Sequence, residues 1–125
     1  MDFIFVEGLQ VEARVGIYPH ERLASQLVEI DLSFGLPNAA AARDDIADTV
    51  CYETVTKRIG AALLQQHFNL LETLGEHIVT LMFEEFGVLW VRLSIAKPGV
   101  IPNVRRVGVH IEREKTCCSP TRFRN

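Results

Sequence analysis

Apolar residues alternate with polar ones in four stretches of this chain, and they recur every three or four positions in two others. The first stretch, residues 3–17, opens on Phe3-Ile4-Phe5 and closes with Val11, Ala13, Val15 and Ile17, interleaved by Glu12, Arg14 and Gly16. A period of two predicts a strand with one buried face, and Gly8 marks a bulge within it. Gly16 to Gln26 is polar and reads as a connection. The second stretch is sharper, with Val28, Ile30, Leu32 and Phe34 on one side and Glu29, Asp31 and Ser33 on the other. Pro37 closes it, and the two strands are expected to pair antiparallel.

Ala39 to Ala42 reads as a short helical turn, and Asp44-Asp45-Ile46-Ala47-Asp48 as an acidic loop. The pattern then predicts a helix over 53–66 that buries Val55, Ile59, Ala62 and Leu63. A second helix is predicted over 70–86, with Leu70, Leu74, Ile78, Leu81 and Met82 inward and Gly87 as its stop. Alternation returns at Val91, Leu93 and Ile95, and again at Val107, Val109 and Ile111. The order ββααββ predicts an α+β domain, an antiparallel four-stranded sheet with two helices on one face. Such a sheet has two long unpaired edges, which favours association between copies. Residues 114–125 lose all alternation and read as a disordered tail, leaving 1–113 as the folded domain.

Composition narrows the class. A chain of 125 residues that is 48% hydrophobic and 23% charged has the makings of one packed domain. Its formal net charge of -3 offers no broad basic field to nucleic acid. No apolar run approaches the ~20 residues that span a bilayer. The start of the chain carries no basic segment ahead of an apolar one, so no secretory signal is visible. Three cysteines, two of them adjacent as Cys117-Cys118, make a poor disulfide framework and point to a reducing cytoplasm.

The chemistry-bearing candidates stand where regular elements meet loops. Lys97-Pro98-Gly99 places an amine at the end of a strand, just before a turn. Most such lysines are only solvated; a proton-transfer role requires partial desolvation. Glu21 lies in the polar connection, where a solvated charge is the simplest reading. Tyr52 precedes a helix, where a packing aromatic is usual. Asn69-Leu70-Leu71-Glu72 matches a helix capping box, with Asn69 as N-cap, and the structural role is the commoner one. At that helix start, however, Glu72 stays ionised and can accept two parallel N–H bonds from a guanidine-like ligand edge. The four histidines, His20, His67, His77 and His110, show no metal-pair spacing, and no glycine-rich phosphate loop occurs.

Taken in order, these segments resemble the dihydroneopterin aldolase family of folate biosynthesis. The resemblance runs through Phe5-Val6-Glu7-Gly8-Leu9, Val15-Gly16-Ile17-Tyr18-Pro19-His20-Glu21, and Asp44 to Tyr52. It continues with Phe68-Asn69-Leu70-Leu71-Glu72, Trp90-Val91-Arg92-Leu93, Lys97-Pro98-Gly99 and Val107 to Arg113. It implies the tunnelling fold, in which ββααββ subunits join sheet edges into a tetrameric barrel and two rings stack as an octamer, with active sites at subunit boundaries. It implies that Glu72 and the Leu71 backbone hold a pterin ring. Glu21, Tyr52 and Lys97 would surround the reacting side chain, with a backbone contact from Val50. The implied reaction is the retro-aldol cleavage of 7,8-dihydroneopterin, with epimerisation as a side activity and no metal or organic cofactor. The alternatives are a dihydroneopterin triphosphate epimerase and a non-catalytic pterin-binding module. Three positions depart from the family pattern: His20 where an aromatic often stands, Cys51 before Tyr52, and the Cys117-Cys118 tail.

Overall fold

A computed structural model describes residues 2–37 and 44–115. The expected helical turn at Ala39 to Ala42 and the tail from residue 116 onward lie outside the described residues. Strands β1 (Phe3–Val15) and β2 (Gln26–Gly35) form the expected antiparallel pair, Phe3 opposite Gly35 and Ala13 opposite Gln26. The register shifts by one residue between Val6 and Leu9, where the Gly8 N–H donates to Asp31 Oδ1 at 2.7 Å. This bulge leaves both Val6 and Leu9 on the side that faces the core, as the interrupted alternation required.

The chain then departs from the expected pattern. The first strand stops at Val15 rather than Ile17, and Ile17 is exposed. The polar connection contains a five-residue helix, α1 (Pro19–Leu23), with Pro19 at its first position, where the missing N–H costs nothing. None of its residues is buried, so it has no apolar period to betray it. Helix α2 (Tyr52–Leu63) follows a 3-10 turn at Ile46–Asp48 and ends three residues short of the predicted stop. Those residues lead into β3 (His67–Phe68), which pairs in parallel with Arg14 and Val15 of β1. Helix α3 (Leu71–Phe86) ends where Gly87 adopts a left-handed φ of 62°. Strand β4 (Trp90–Pro98) pairs with β2, and β5 (Arg106–Glu114) with β4, both antiparallel.

The sheet is therefore five-stranded and mixed, in the order β3-β1-β2-β4-β5, not four-stranded and antiparallel. Three helices are present among the described residues, not two. The two long ones pack as expected, with Val55, Ile59 and Leu63 of α2 and Leu74, Ile78 and Met82 of α3 fully buried against Ile30, Leu32, Phe34, Leu93 and Ile95. Each such side chain contributes about 1.5–3 kcal/mol by leaving water. Leu70 was expected inward, yet it precedes α3 and is 51% exposed. A two-point contact from Arg58 to Glu85, 2.8 Å at each oxygen, ties α2 to α3. Strand β5 reaches Glu114, and the Lys115 N–H donates to Leu89 O at 2.8 Å, so the sheet extends past the expected domain end at 113.

Candidate active site

Lys97 continues the core-facing register of β4. Val91, Leu93 and Ile95 point to the helices, and Lys97 is next in that row, at the strand end. Its side chain is consequently only 13% exposed, with the stem covered and the amine reaching past the core. The turn was expected directly after Lys97, but β4 runs one residue further; Pro98 pairs with Arg106, and Gly99 opens the turn with φ 67°.

The partner of Lys97 comes from α1. Glu21 Oε2 accepts from Lys97 Nζ at 2.8 Å, and the Glu21 side chain is itself 13% exposed. It is not the solvated charge that the sequence suggested. Three elements hold this carboxylate. Lys97 comes from β4, the Tyr18 N–H donates to Oε1 at 3.3 Å, and Gln26 Nε2 at the start of β2 approaches Oε2 at 3.5 Å. Gln26 also donates to Val15 O at 2.6 Å. The hydrogen bond from Lys97 holds the Glu21 carboxyl below the usual carboxylate range, against the opposing effect of its burial. Gly16 makes room for it. At φ 135° a side chain would be strained, and a Cβ there would lie 2.6 Å from Glu21 Cβ.

Strand β3 ties the approach to α3 to the segment that carries Glu21. The Gly16 N–H donates to Phe68 O at 2.9 Å, and Arg22 Nη1 donates to Asn69 Oδ1 at 3.0 Å. The capping box does not form. Leu70 is the N-cap, no side chain caps the helix, and Glu72 is its second residue. The first-turn N–H groups, that of Leu71 included, thus lack intrahelical partners and sit beside an exposed carboxylate. This is a suitable surface for a ligand edge that offers both donors and an acceptor.

Tyr52 opens α2 and is 64% exposed, and Val50 is half-buried in the segment before it. Among the described residues no hydrogen bond or ion pair joins Tyr52 to Glu21, Lys97 or Glu72. One chain thus joins Glu21 to Lys97 directly and, through Arg22, ties the Glu21 segment to Asn69 just before α3. His20 stacks on Tyr18, with centroids 5.9 Å apart and planes within 4°, in the residues flanking Glu21. Cys51, at the N-cap of α2, is exposed, and the N–H of Thr54 pulls its thiol down from the ordinary value. Among the described residues no three His, Cys, Asp or Glu side chains converge as a metal ion would need. A hollow of about 580 Å³ lies on the open face of the sheet, lined by Phe3, Trp90, Arg92 and Glu112, and includes none of these groups.

Sequence reasoning missed Gly16, Tyr18, Gln26 and Arg22 as parts of this arrangement. Only Gly16 carried a signal, a glycine at the end of an alternating run.

The site can now be set beside known proteins. The dihydroneopterin aldolase (FolB) family model matches residues 4–112. The dihydroneopterin aldolase of Escherichia coli K12 is 32% identical over 114 residues, which is 90% of this chain and 93% of the relative. That of Streptomyces coelicolor is 35% identical over 99 residues, 78% of this chain and 83% of the relative. The crystal structure of the E. coli aldolase in complex with neopterin aligns with a TM-score of 0.84 at 32% identity, covering 90% of this chain and 99% of that one. Urate oxidase of Bacillus sp. TB-90 shares the fold alone, at 11% identity and a TM-score of 0.62 over 46% of its chain. Since the family match runs from β1 into β5 and takes in every group gathered around Lys97, the chain belongs to the dihydroneopterin aldolase family.

Proposed function

We propose that this protein is a 7,8-dihydroneopterin aldolase of folate biosynthesis, which cleaves its substrate to 6-hydroxymethyl-7,8-dihydropterin and glycolaldehyde. One observation carries the reading: the Lys97–Glu21 pair, 2.8 Å apart and mostly covered, stands on a segment that Arg22 joins to Asn69, just before the uncapped start of α3 that bears Leu71 and Glu72. The Glu72 carboxylate accepts two N–H bonds from the pterin's 2-amino and N3–H edge, and the Leu71 backbone completes the contact. The ring is thereby fixed with its side chain toward Lys97. This orientation is the larger part of what Glu72 contributes.

Lys97, through a water, takes the proton of the side-chain hydroxyl. The oxygen's electrons form the carbonyl of glycolaldehyde, the C–C bond breaks, and its electrons pass into the ring's C=N bond to give an enamine. Return of a proton to carbon yields the hydroxymethyl product. The substrate is its own electron sink, so the work left to the protein is orientation and proton movement. The amine acts in its neutral form, and Glu21, 2.8 Å away, holds the ammonium that the transfer creates until its proton returns to carbon. Tyr52 relays or stabilises the moving proton from a neighbouring subunit, and Val50 adds its backbone contact from there. Among the described residues, the outer edges of β5 and of most of β1 have no strand beside them, which supports a barrel of copies joined edge to edge, a tetramer ring stacked as an octamer. Closure of the same enamine on the opposite face gives the epimer as a side product.

Two variants test the assignment. Glu72→Gln should weaken substrate and product alike by about 1.5–3 kcal/mol, mainly in KM and product affinity. Lys97→Ala should leave product affinity nearly intact and lower kcat by roughly 10²–10⁴-fold. A Lys97→Ala protein with near-normal kcat would sink the mechanism. Release of glycolaldehyde from dihydroneopterin, with none from its triphosphate, separates the aldolase from the triphosphate epimerase and from a binding module.

A further inference from the structure

We infer that Arg22 and Asn69 act as a strut that sets the spacing between the ring-holding end of the site and its proton-moving end. Arg22 follows Glu21 directly in α1, and Asn69 stands three residues before Glu72. Their side chains meet across 47 positions of sequence, Arg22 Nη1 donating to Asn69 Oδ1 at 3.0 Å. The segment carrying Glu21 is thus joined side chain to side chain to the segment carrying Leu71 and Glu72. The amide of Asn69 would ordinarily cap α3, yet no side chain caps that helix, and the oxygen is committed to Arg22 instead. Among the described residues the other hydrogen bonds between the two segments are backbone ones, Gly16 N–H to Phe68 O at 2.9 Å and the two-residue β3 pairing.

The strut rests on the aldolase reading, since it positions groups for that reaction and touches neither ring nor reacting carbon. A misplacement of the order of 1 Å between a held substrate and its proton acceptor lowers turnover while leaving the holding contacts intact. Arg22→Met and Asn69→Ala should therefore each lower kcat about tenfold, with affinity for the 6-hydroxymethyl product changed less than about twofold. The double variant should be no slower than either single, because both remove one contact. Asn69→Asp keeps an acceptor for Arg22 and should retain kcat near that of the unmodified protein. Urea unfolding at one protein concentration should show all four variants folded, so that a fall in kcat is not a fall in folded protein. Singles with unchanged kcat, losses that multiply in the double, or a parallel loss of product affinity would each overturn the strut while leaving the aldolase assignment standing. An unmodified protein that releases no glycolaldehyde would overturn both.

Discussion

Replacement of Lys97 by methionine keeps the stem packed at the end of β4 and removes only the ammonium, so its effect isolates the ion pair with Glu21. The bond is 2.8 Å long between side chains each 13% exposed, so solvent screens it little. A carboxylate stranded by loss of a fully buried partner costs about 3–5 kcal/mol. Here Glu21 keeps the Tyr18 N–H and the Gln26 amide, so the appropriate figure is that of one charge-assisted hydrogen bond, about 1.5–3 kcal/mol. In urea that is a midpoint shift on the order of 1 M. Protein concentration must be held constant, because assembly adds to apparent stability.

The pH dependence gives the sharper test. The folded-state pKa of Glu21 is lowered from its ordinary value of 4.5, chiefly by Lys97. A group lowered in this way contributes stability that is fully present above 4.5 and is lost as pH falls through the folded value. Without Lys97 the carboxyl moves back toward 4.5, and that contribution disappears. The stability difference between the unmodified protein and Lys97→Met should therefore be largest near pH 7 and shrink toward pH 3. A gap of equal size at both pH values would mean that the destabilisation comes from packing around the stem, and the ion-pair argument would fail.

Three other perturbations probe the surroundings. Gly16→Ala forces a side chain into a φ of 135° and against Glu21, so it should cost about 1–3 kcal/mol in urea unfolding and lower kcat together, whereas loss of stability with kcat intact would show that Glu21 finds another route to Lys97. Cys51, its thiol favoured as thiolate by the first turn of α2, should be alkylated by iodoacetamide below the ordinary thiol range, and peptide mapping against Cys51→Ser should locate the label; equal rates for Cys51 and a free cysteine peptide would contradict this. Arg58→Met removes a half-exposed two-point contact between α2 and α3 and should lower the urea midpoint only slightly, with no effect on kcat in steady-state turnover.

The parts of the fold that were legible in the sequence are those in which burial repeats. Val28, Ile30, Leu32 and Phe34 alternate because β2 lies in mid-sheet under two helices, and all four are buried. The Gly8 bulge was readable for the same reason, since it is the point where the alternation changes phase. Strand β3 was not. Two residues carry no period, and His67 and Phe68 are extended only because the exit of β1 is there to pair with them. Helix α1 was missed because it buries no apolar side chain and so imposes no pattern.

The misread capping box shows the same limit from the other side. Asn69 and Glu72 have the spacing of a local device, and sequence offers no reason to look further. The oxygen that would have capped the helix is held by an arginine 47 residues away, brought there by the two elements that left no pattern. Periodicity reports burial, and catalytic side chains must stand where burial ends, on short connectors at the mouths of rigid elements. Lys97 was visible because it ends a buried row; Glu21 was named through the family resemblance, but its covered pairing with Lys97 was not readable, because it depends on α1, Gly16 and Gln26. The core could be read from the chain; the Lys97–Glu21 and Arg22–Asn69 contacts exist only in the folded chain.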